Sequence, residues 1–297
     1  MRLEEAKEII ACLPAGKTRF YYFKDRYALL LLGLFVESPK AKRDVKASGL
    51  GRLLEKPTVR AAIRRATPPL LSSEVFEGYW PGDYECYLLT LGTWGSKNRH
   101  RDQVSRPGYN LVLQLNFSSR HDEPYTRLLQ PEGRHPYEYS FHPVNGKKFR
   151  TLAWSRLDVD LDAGEALIEE IQTDWIRGAL SDRRLADQRA DDNVVRYVDE
   201  VLAPHIPVWD EAMLAATIWF LRRELGISTI FYHTYESGTA LKRIRYGRPP
   251  RSVYTRLPRK FCFAKTASKP SFLAETRRPG KARRLVQRAR FRVLTLQ

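Results

Sequence analysis

Cysteine is scarce in this 297-residue chain: Cys12, Cys86 and Cys262 are its three, widely separated and without a CxxC pair. A disulfide framework or a zinc ribbon is thereby excluded, and a reducing, cytoplasmic setting is the plainer reading. The opening Met1–Lys7 lacks the apolar core of a secretory leader. Nor is there a membrane-length apolar run. The longest, Tyr27–Val36, spans about half a bilayer and reads as a buried helix or strand, so no membrane partner is expected. No GxxxxGKS loop, GxSxG elbow or HExxH pair occurs, which removes support from nucleotide hydrolysis and the common hydrolase classes. The histidines, His100, His121, His135, His142, His205 and His233, show no HxH or HxxxH spacing, so no metal site is read from them. His135 and His142 could meet a metal only if the fold brought Asp160 or Asp162 to them.

Acidic residues are the other shortage. Asp and Glu number 34 against 51 Lys and Arg, for a net charge of +17 and a pI near 9.9. That excess favours a polyanionic partner: DNA or RNA, a phosphorylated cofactor, or an anionic surface. What is abundant is core material. Apolar residues make up 43% of the chain, with 15 Tyr, 13 Phe and 6 Trp, enough for one large globular domain or two of ordinary size.

Helical patterns cover residues 3–13, 25–36 and 46–65, the last as two short helices with Pro57 in the first turn of the second. Residues 1–70 are therefore expected to be a helical N-terminal segment. From there strands dominate: Tyr84–Leu91, Tyr109–Phe117, 137–142, and a hairpin of Arg150–Leu157 with 166–173, whose connection holds Asp160, Asp162 and Gly164. Asp158, Asp160 and Asp162 alternate at the hairpin end and read as turn chemistry. Residues 177–200 are highly charged helix or loop. Asp210 then resembles an N-cap for a buried helix that Gly226 stops. A strand at Ser228–Thr234, a short helix at Ser237–Ile244, and strands at Ser252–Thr255 and Lys260–Ala264 complete residues 71–275. Residues 276–297 form a basic C-terminal extension without an acidic residue from Arg277 onward. Its Arg277, Arg278, Lys281, Arg283, Arg284 and Arg288 are the candidate nucleic-acid contacts, read either as a solvated tail or as an arm on phosphates. The fold class expected is α+β, with a mixed, mainly antiparallel sheet and flanking helices.

The most informative stretch is Ala166–Trp175. Read as a strand, it stacks Ile168, Glu170, Gln172 and Asp174 on one face and Leu167, Glu169, Ile171, Thr173 and Trp175 on the other. Carboxylates and an amide at the end of a buried strand require partners, so they make either a structural network or a site.

The order of antiparallel strands, polar-ended strand, long helix, strand and short helix resembles the acetyltransferase superfamily typified by histone and aminoglycoside N-acetyltransferases. Residues 211–246 carry that likeness best. Glu170-Ile-Gln-Thr-Asp-Trp175 is, more narrowly, similar to the Glu-Ile-Gln-Ser-Asp-Trp signature of domains in phage and mobile-element polyvalent proteins. The resemblance implies acyl transfer from acetyl-coenzyme A to an amine, on a target that the positive charge would recruit. It implies Glu170 or Asp174 as the base that deprotonates the amine and Tyr246 as the acid that protonates the leaving thiolate. Gln172, Trp175, His233 and Tyr235 would contact substrate. For the cofactor's pyrophosphate the nearest stretch is Arg177-Gly178-Ala179, which has one glycine where the family's loop has two. The competing reading is a non-catalytic nucleic-acid-binding or virion-associated protein of a phage or mobile element, in which the polar strand is structural and the tail makes the contacts.

Overall fold

The computed structural model describes residues 1–12, 18–96, 103–130, 137–139, 141–144, 148–189, 192–244, 249–275 and 280–296. It is α+β and mainly antiparallel, with helices around the strands, as the alternating patterns predict. The chain forms two compact units that interleave along the sequence. The first comprises Met1–Tyr22, Glu85–Val159 and Ile168–Thr217; the second comprises Phe23–Tyr84, Asp160–Leu167 and Ile218–Gln297.

In the first unit, β1 (Thr18–Tyr22), β2 (Glu85–Ser96), β3 (Gly108–Phe117), β4 (Thr151–Asp160) and the later part of β5 (Glu165–Gln172) lie in that order. β1 lies within the segment expected to be helical; its alternating Phe20 and Tyr22 point into the core. β1 through β4 pair antiparallel in succession, and the β3–β4 register slips at Leu115/Asn116. Asn116 sits at that slip. It donates to the Leu88 carbonyl and to Thr90 Oγ1, each at 2.9 Å, and accepts from Thr151 Oγ1 at 2.8 Å. Residues 137–139 and 141–144 form turns where a strand was expected; buried Tyr137 is spent on packing, and the His142 N–H donates to the Tyr139 carbonyl.

An aromatic core holds this unit. Phe117 stacks on His121 with centroids 3.7 Å apart, and Tyr125, Tyr137 and Tyr197 pack around the fully buried Trp175. Its indole and phenol are satisfied internally: Trp175 Nε1 donates to the Tyr197 hydroxyl at 2.6 Å, which lies 2.8 Å from His121 Nε2. Burial drives the Tyr197 phenol well above its ordinary range, so it stays a neutral donor and acceptor. A second such pair joins the Tyr87 hydroxyl to His205 Nδ1 at 2.9 Å.

In the second unit the apolar run is the helix Arg26–Phe35, with Leu29, Leu31, Leu32 and Leu34 buried. Pro57 does open the helix Pro57–Ala66, where its missing N–H costs nothing. Here β6 (Thr229–His233) and β7 (Ala264–Thr266) both pair antiparallel with β8 (Phe291–Thr295). Several expectations fail, among them the strand at Lys260–Ala264: Lys260 ends a helix and β7 starts only at Ala264. Ser252–Thr255 belongs to the helix Arg251–Lys260, not a strand, because Val253, Tyr254 and Leu257 share one buried helical face. The basic segment is not a loose extension: Gly280–Arg288 is helical, and β8 buries Phe291 and Leu294. Asp210 lies inside the first turn of the helix Trp209–Trp219 instead of capping it.

Candidate acid–base site

The polar end of β5 is a loop–helix junction. The strand ends at Gln172, and Thr173 turns the chain into the helix Asp174–Arg189. Its hydroxyl accepts from the Ile176 N–H at 3.2 Å and donates to the Leu152 carbonyl at 2.6 Å, an N-cap tied to the neighbouring β4. Asp174 therefore stands in a first helical turn, where a carboxylate is favoured by the exposed N–H groups.

Four side chains converge on Asp174, whose own side chain is 2% exposed. His142 Nδ1 lies 2.6 Å from Oδ2, Gln172 Nε2 donates to Oδ1 at 2.6 Å, Arg177 Nη2 donates to Oδ1 at 2.7 Å, and Trp154 Nε1 approaches Oδ2 at 3.4 Å. Because a carboxylate only accepts, the 2.6 Å contact calls for a proton on Nδ1, and the neutral ring then carries its lone pair on Nε2; Gln172 Nε2 lies 3.3 Å from the same Nδ1. The His142 ring is 32% exposed, while the carboxylate behind it is sealed. The imidazole is held in place from below. Its ring packs edge-on against Trp154 at 5.6 Å, and Gln114 Nε2 donates to the Pro143 carbonyl at 2.8 Å. Gln114 is itself fixed by Thr90 Oγ1 at 2.6 Å and sits opposite Trp154 in the β3–β4 register. Exposed Tyr139 and Phe141 flank the imidazole on its own loop.

This arrangement can move a proton. A buried carboxylate orienting a partly exposed imidazole through Nδ1 is the arrangement that lets histidine accept a proton from a nucleophile at Nε2 and hold the resulting charge.

No family model, no curated protein and no solved structure matches the chain.

The residues expected at the site are distributed as follows. Asp174 and Gln172 are brought together, with Gln172 at the end of the strand and Asp174 at the start of the helix and not on the strand face expected for it. Glu170 is not with them: it is 5% exposed and ion-paired to buried Arg156, whose Nη2 also donates to the Gln103 carbonyl at 3.2 Å. A carboxylate so occupied serves as a structural counter-ion, and its role as first-choice base is withdrawn. Glu169, on the opposite face, is fully buried and accepts from the Ser105 N–H and hydroxyl at 2.9 and 2.8 Å. Trp175 is core, with no surface for substrate. His233 is fully buried on β6, its Nδ1 3.0 Å from Ser237 Oγ, so it is a satisfied core histidine. Tyr235 is half-buried at the start of the helix Tyr235–Leu241 in the second unit. Tyr246 lies outside the described residues, as do Arg277 and Arg278; of Lys281 only the helical backbone is described.

Arg177, Gly178 and Ala179 do not fit a coenzyme A pyrophosphate. They occupy the fourth to sixth positions of the helix Asp174–Arg189, where N–H groups are consumed by the helical ladder. Gly178 presses on Tyr137, and Ala179 is buried. Among the described residues no group of three His, Cys, Asp or Glu could hold a metal, and no helix is long and apolar enough to cross a membrane. Asp160 keeps its turn role, accepting from the Ala163 N–H at 3.0 Å, whereas Asp158 is buried and clamped by Arg106 at 2.7 and 2.8 Å.

Sequence reasoning missed His142 as the partner of Asp174. The two are 32 residues apart, with no spacing that links them. A usable signal was Thr173 followed by Asp174, the start of a capped helix carrying an acid in its first turn.

Proposed function

We propose that this chain is an acid–base catalyst in which His142 deprotonates a nucleophile and Asp174 orients and stabilises the imidazole. The single observation that carries the reading is the 2.6 Å contact between His142 Nδ1 and a sealed carboxylate, on an imidazole that is itself 32% exposed. The reaction class we favour is acyl transfer to an amine. As the amine nitrogen attacks the acyl carbonyl, His142 Nε2 takes its proton, and the leaving group departs with the electrons of the bond it loses. Arg177, half exposed beside Asp174, would hold an anionic part of the substrate. The net charge of +17 supports a target that is polyanionic or bound to a polyanion.

The test is acylation of a lysine-rich peptide, free and bound to DNA, followed by mass spectrometry with acetyl-coenzyme A and simpler thioesters as donors. H142A is expected to lower the rate by roughly 10²–10⁴-fold, the usual contribution of a positioned base. D174N should fall with it, whereas E170Q acts only through stability. Equal rates in H142A and the parent protein would end the proposal.

A second reading is favoured by one observation: the helix Gly280–Arg288 turns Arg283, Arg284 and Arg288 to solvent. Such a face suits phosphate contacts without catalysis. It calls for nucleic-acid affinity that falls steeply with salt and weakens when these three residues are neutralised.

A further inference from the structure

The second unit contains a cavity of about 770 Å³ whose charged lining, among the described residues, is four cations, Lys265, Arg288, Arg290 and Arg292, and one carboxylate, Glu236. Two features separate it from an ordinary basic surface. Arg292 is only 8% exposed, yet its Nε is buried with no hydrogen-bond partner. A guanidinium placed so costs free energy unless something that is absent from the chain satisfies it. Burial, reinforced by the nearby Arg259, lowers its pKa; Glu236 acts the other way without neutralising the site. Second, Lys265 on β7 stands directly opposite Arg292 on β8 in the ladder. Like charges at paired positions are destabilising, and here no carboxylate of the sheet separates them. Both oddities have one remedy, an anion bearing several charges.

We propose that this cavity binds a phosphorylated organic molecule of nucleotide size. Phosphate oxygens would accept from the Arg292 guanidinium on the cavity wall and from the exposed Arg288, Arg290 and Lys265, where forked and point-like donors suit a diphosphate. The volume is far larger than a phosphate ion and lies in the range of small-molecule sites. Leu285, Ala240, Phe291 and Tyr235 give the remaining wall its apolar and aromatic part, alongside the hydroxyls of Thr234, Ser237, Thr255 and Thr266. Arg251 lies 4.7 Å over the Tyr235 ring and Tyr254 meets its edge, so the ring is held where it can flank a flat group. Concavity is what favours a small ligand over a nucleic-acid strand, which would need only the exposed arginines.

The experiment is calorimetric titration and thermal melting of the full chain with ADP, pyrophosphate, adenosine and a 5′-phosphorylated single-stranded oligonucleotide. ADP should bind saturably and raise the melting temperature, pyrophosphate should compete more weakly, and adenosine should not bind. R288A and R290A replace exposed side chains, should melt like the parent protein, and should each weaken ADP binding about tenfold or more, the worth of a charge-assisted bond. R292M should weaken it at least as much while leaving unliganded melting unchanged or higher. No saturable ADP binding at millimolar concentration would overturn the proposal. So would equal affinity in R288A and R290A, or an oligonucleotide that binds tightly and is not displaced by ADP.

Discussion

Removing Arg156 separates the two readings of the polar strand. Arg156 on β4 is 2% exposed, and its partner Glu170 on β5 is 5% exposed. The R156M substitution keeps the volume but leaves Glu170 charged in a place that water barely reaches. Breaking a buried pair from one side costs about 3–5 kcal/mol, far above the ~0–1 kcal/mol of a surface ion pair. Part of the arginine's packing survives in methionine: its guanidinium lies near the Trp94 and Trp154 rings at 5.8 and 5.9 Å, too loosely to dominate. The expected loss in R156M is therefore about 3 kcal/mol or more. E170L should cost a similar amount, and the double variant clearly less than the sum of the two, because residues in one buried pair are coupled by about 0.5–3 kcal/mol. Urea unfolding followed by tryptophan fluorescence measures all four proteins, with stability read from the midpoint at constant slope. A loss under about 1 kcal/mol in R156M would show that Glu170 is in contact with water. It would then return as a candidate base, and the assignment of catalysis to His142 would lose its footing.

Other consequences are simpler to state. Burial lowers the His205 pKa from 6.5 to about 4, so the folded protein resists a proton that the unfolded chain accepts. Stability is full above pH 6.5 and should fall as the pH drops from 6.5 to 4, by roughly 3 kcal/mol if His205 acted alone; subtracting the pH profile of H205F should isolate that slope, and identical profiles would contradict it. G178A places a Cβ 2.7 Å from Tyr137 Cδ1. The strain should outweigh the roughly 1 kcal/mol by which Ala favours a helix, for a net loss of about 1 kcal/mol by chemical denaturation; a gain would mean that Tyr137 does not pack there. Y197F removes the acceptor of Trp175 Nε1 inside the aromatic core and should cost about 1–3 kcal/mol; an unchanged midpoint would show that the indole finds another acceptor.

Much of the fold was legible because its strands and buried helices carry periodic apolar residues. Tyr109–Phe117 and the hairpin around Gly164 are strands, and the helical pattern over residues 25–36 is the buried helix Arg26–Phe35. Failures came where two periods overlap. Val253 and Tyr254 are strand formers, yet Leu257 completes a helical face behind Pro250. In β8 the arginines obscure the apolar pattern of Phe291, Val293 and Leu294, and pairing with both β6 and β7 is a long-range fact no local pattern reveals. The site was half legible. Alternation correctly marked the end of β5 as polar, but it could not say that Glu170 would be sealed by Arg156 or that a histidine from a distant loop would meet Asp174. Those contacts depend on how β4 and a turn approach β5, which no spacing encodes.

The central claim is that Asp174 fixes the His142 proton on Nδ1 and leaves Nε2 free to act. Nitrogen-15 NMR of the imidazole in the neutral form reads this directly. A protonated Nδ1 and a bare Nε2 in the parent protein, with that preference lost in D174N, is the result expected. A proton residing on Nε2 in the parent protein, or a tautomer unmoved by D174N, would contradict it.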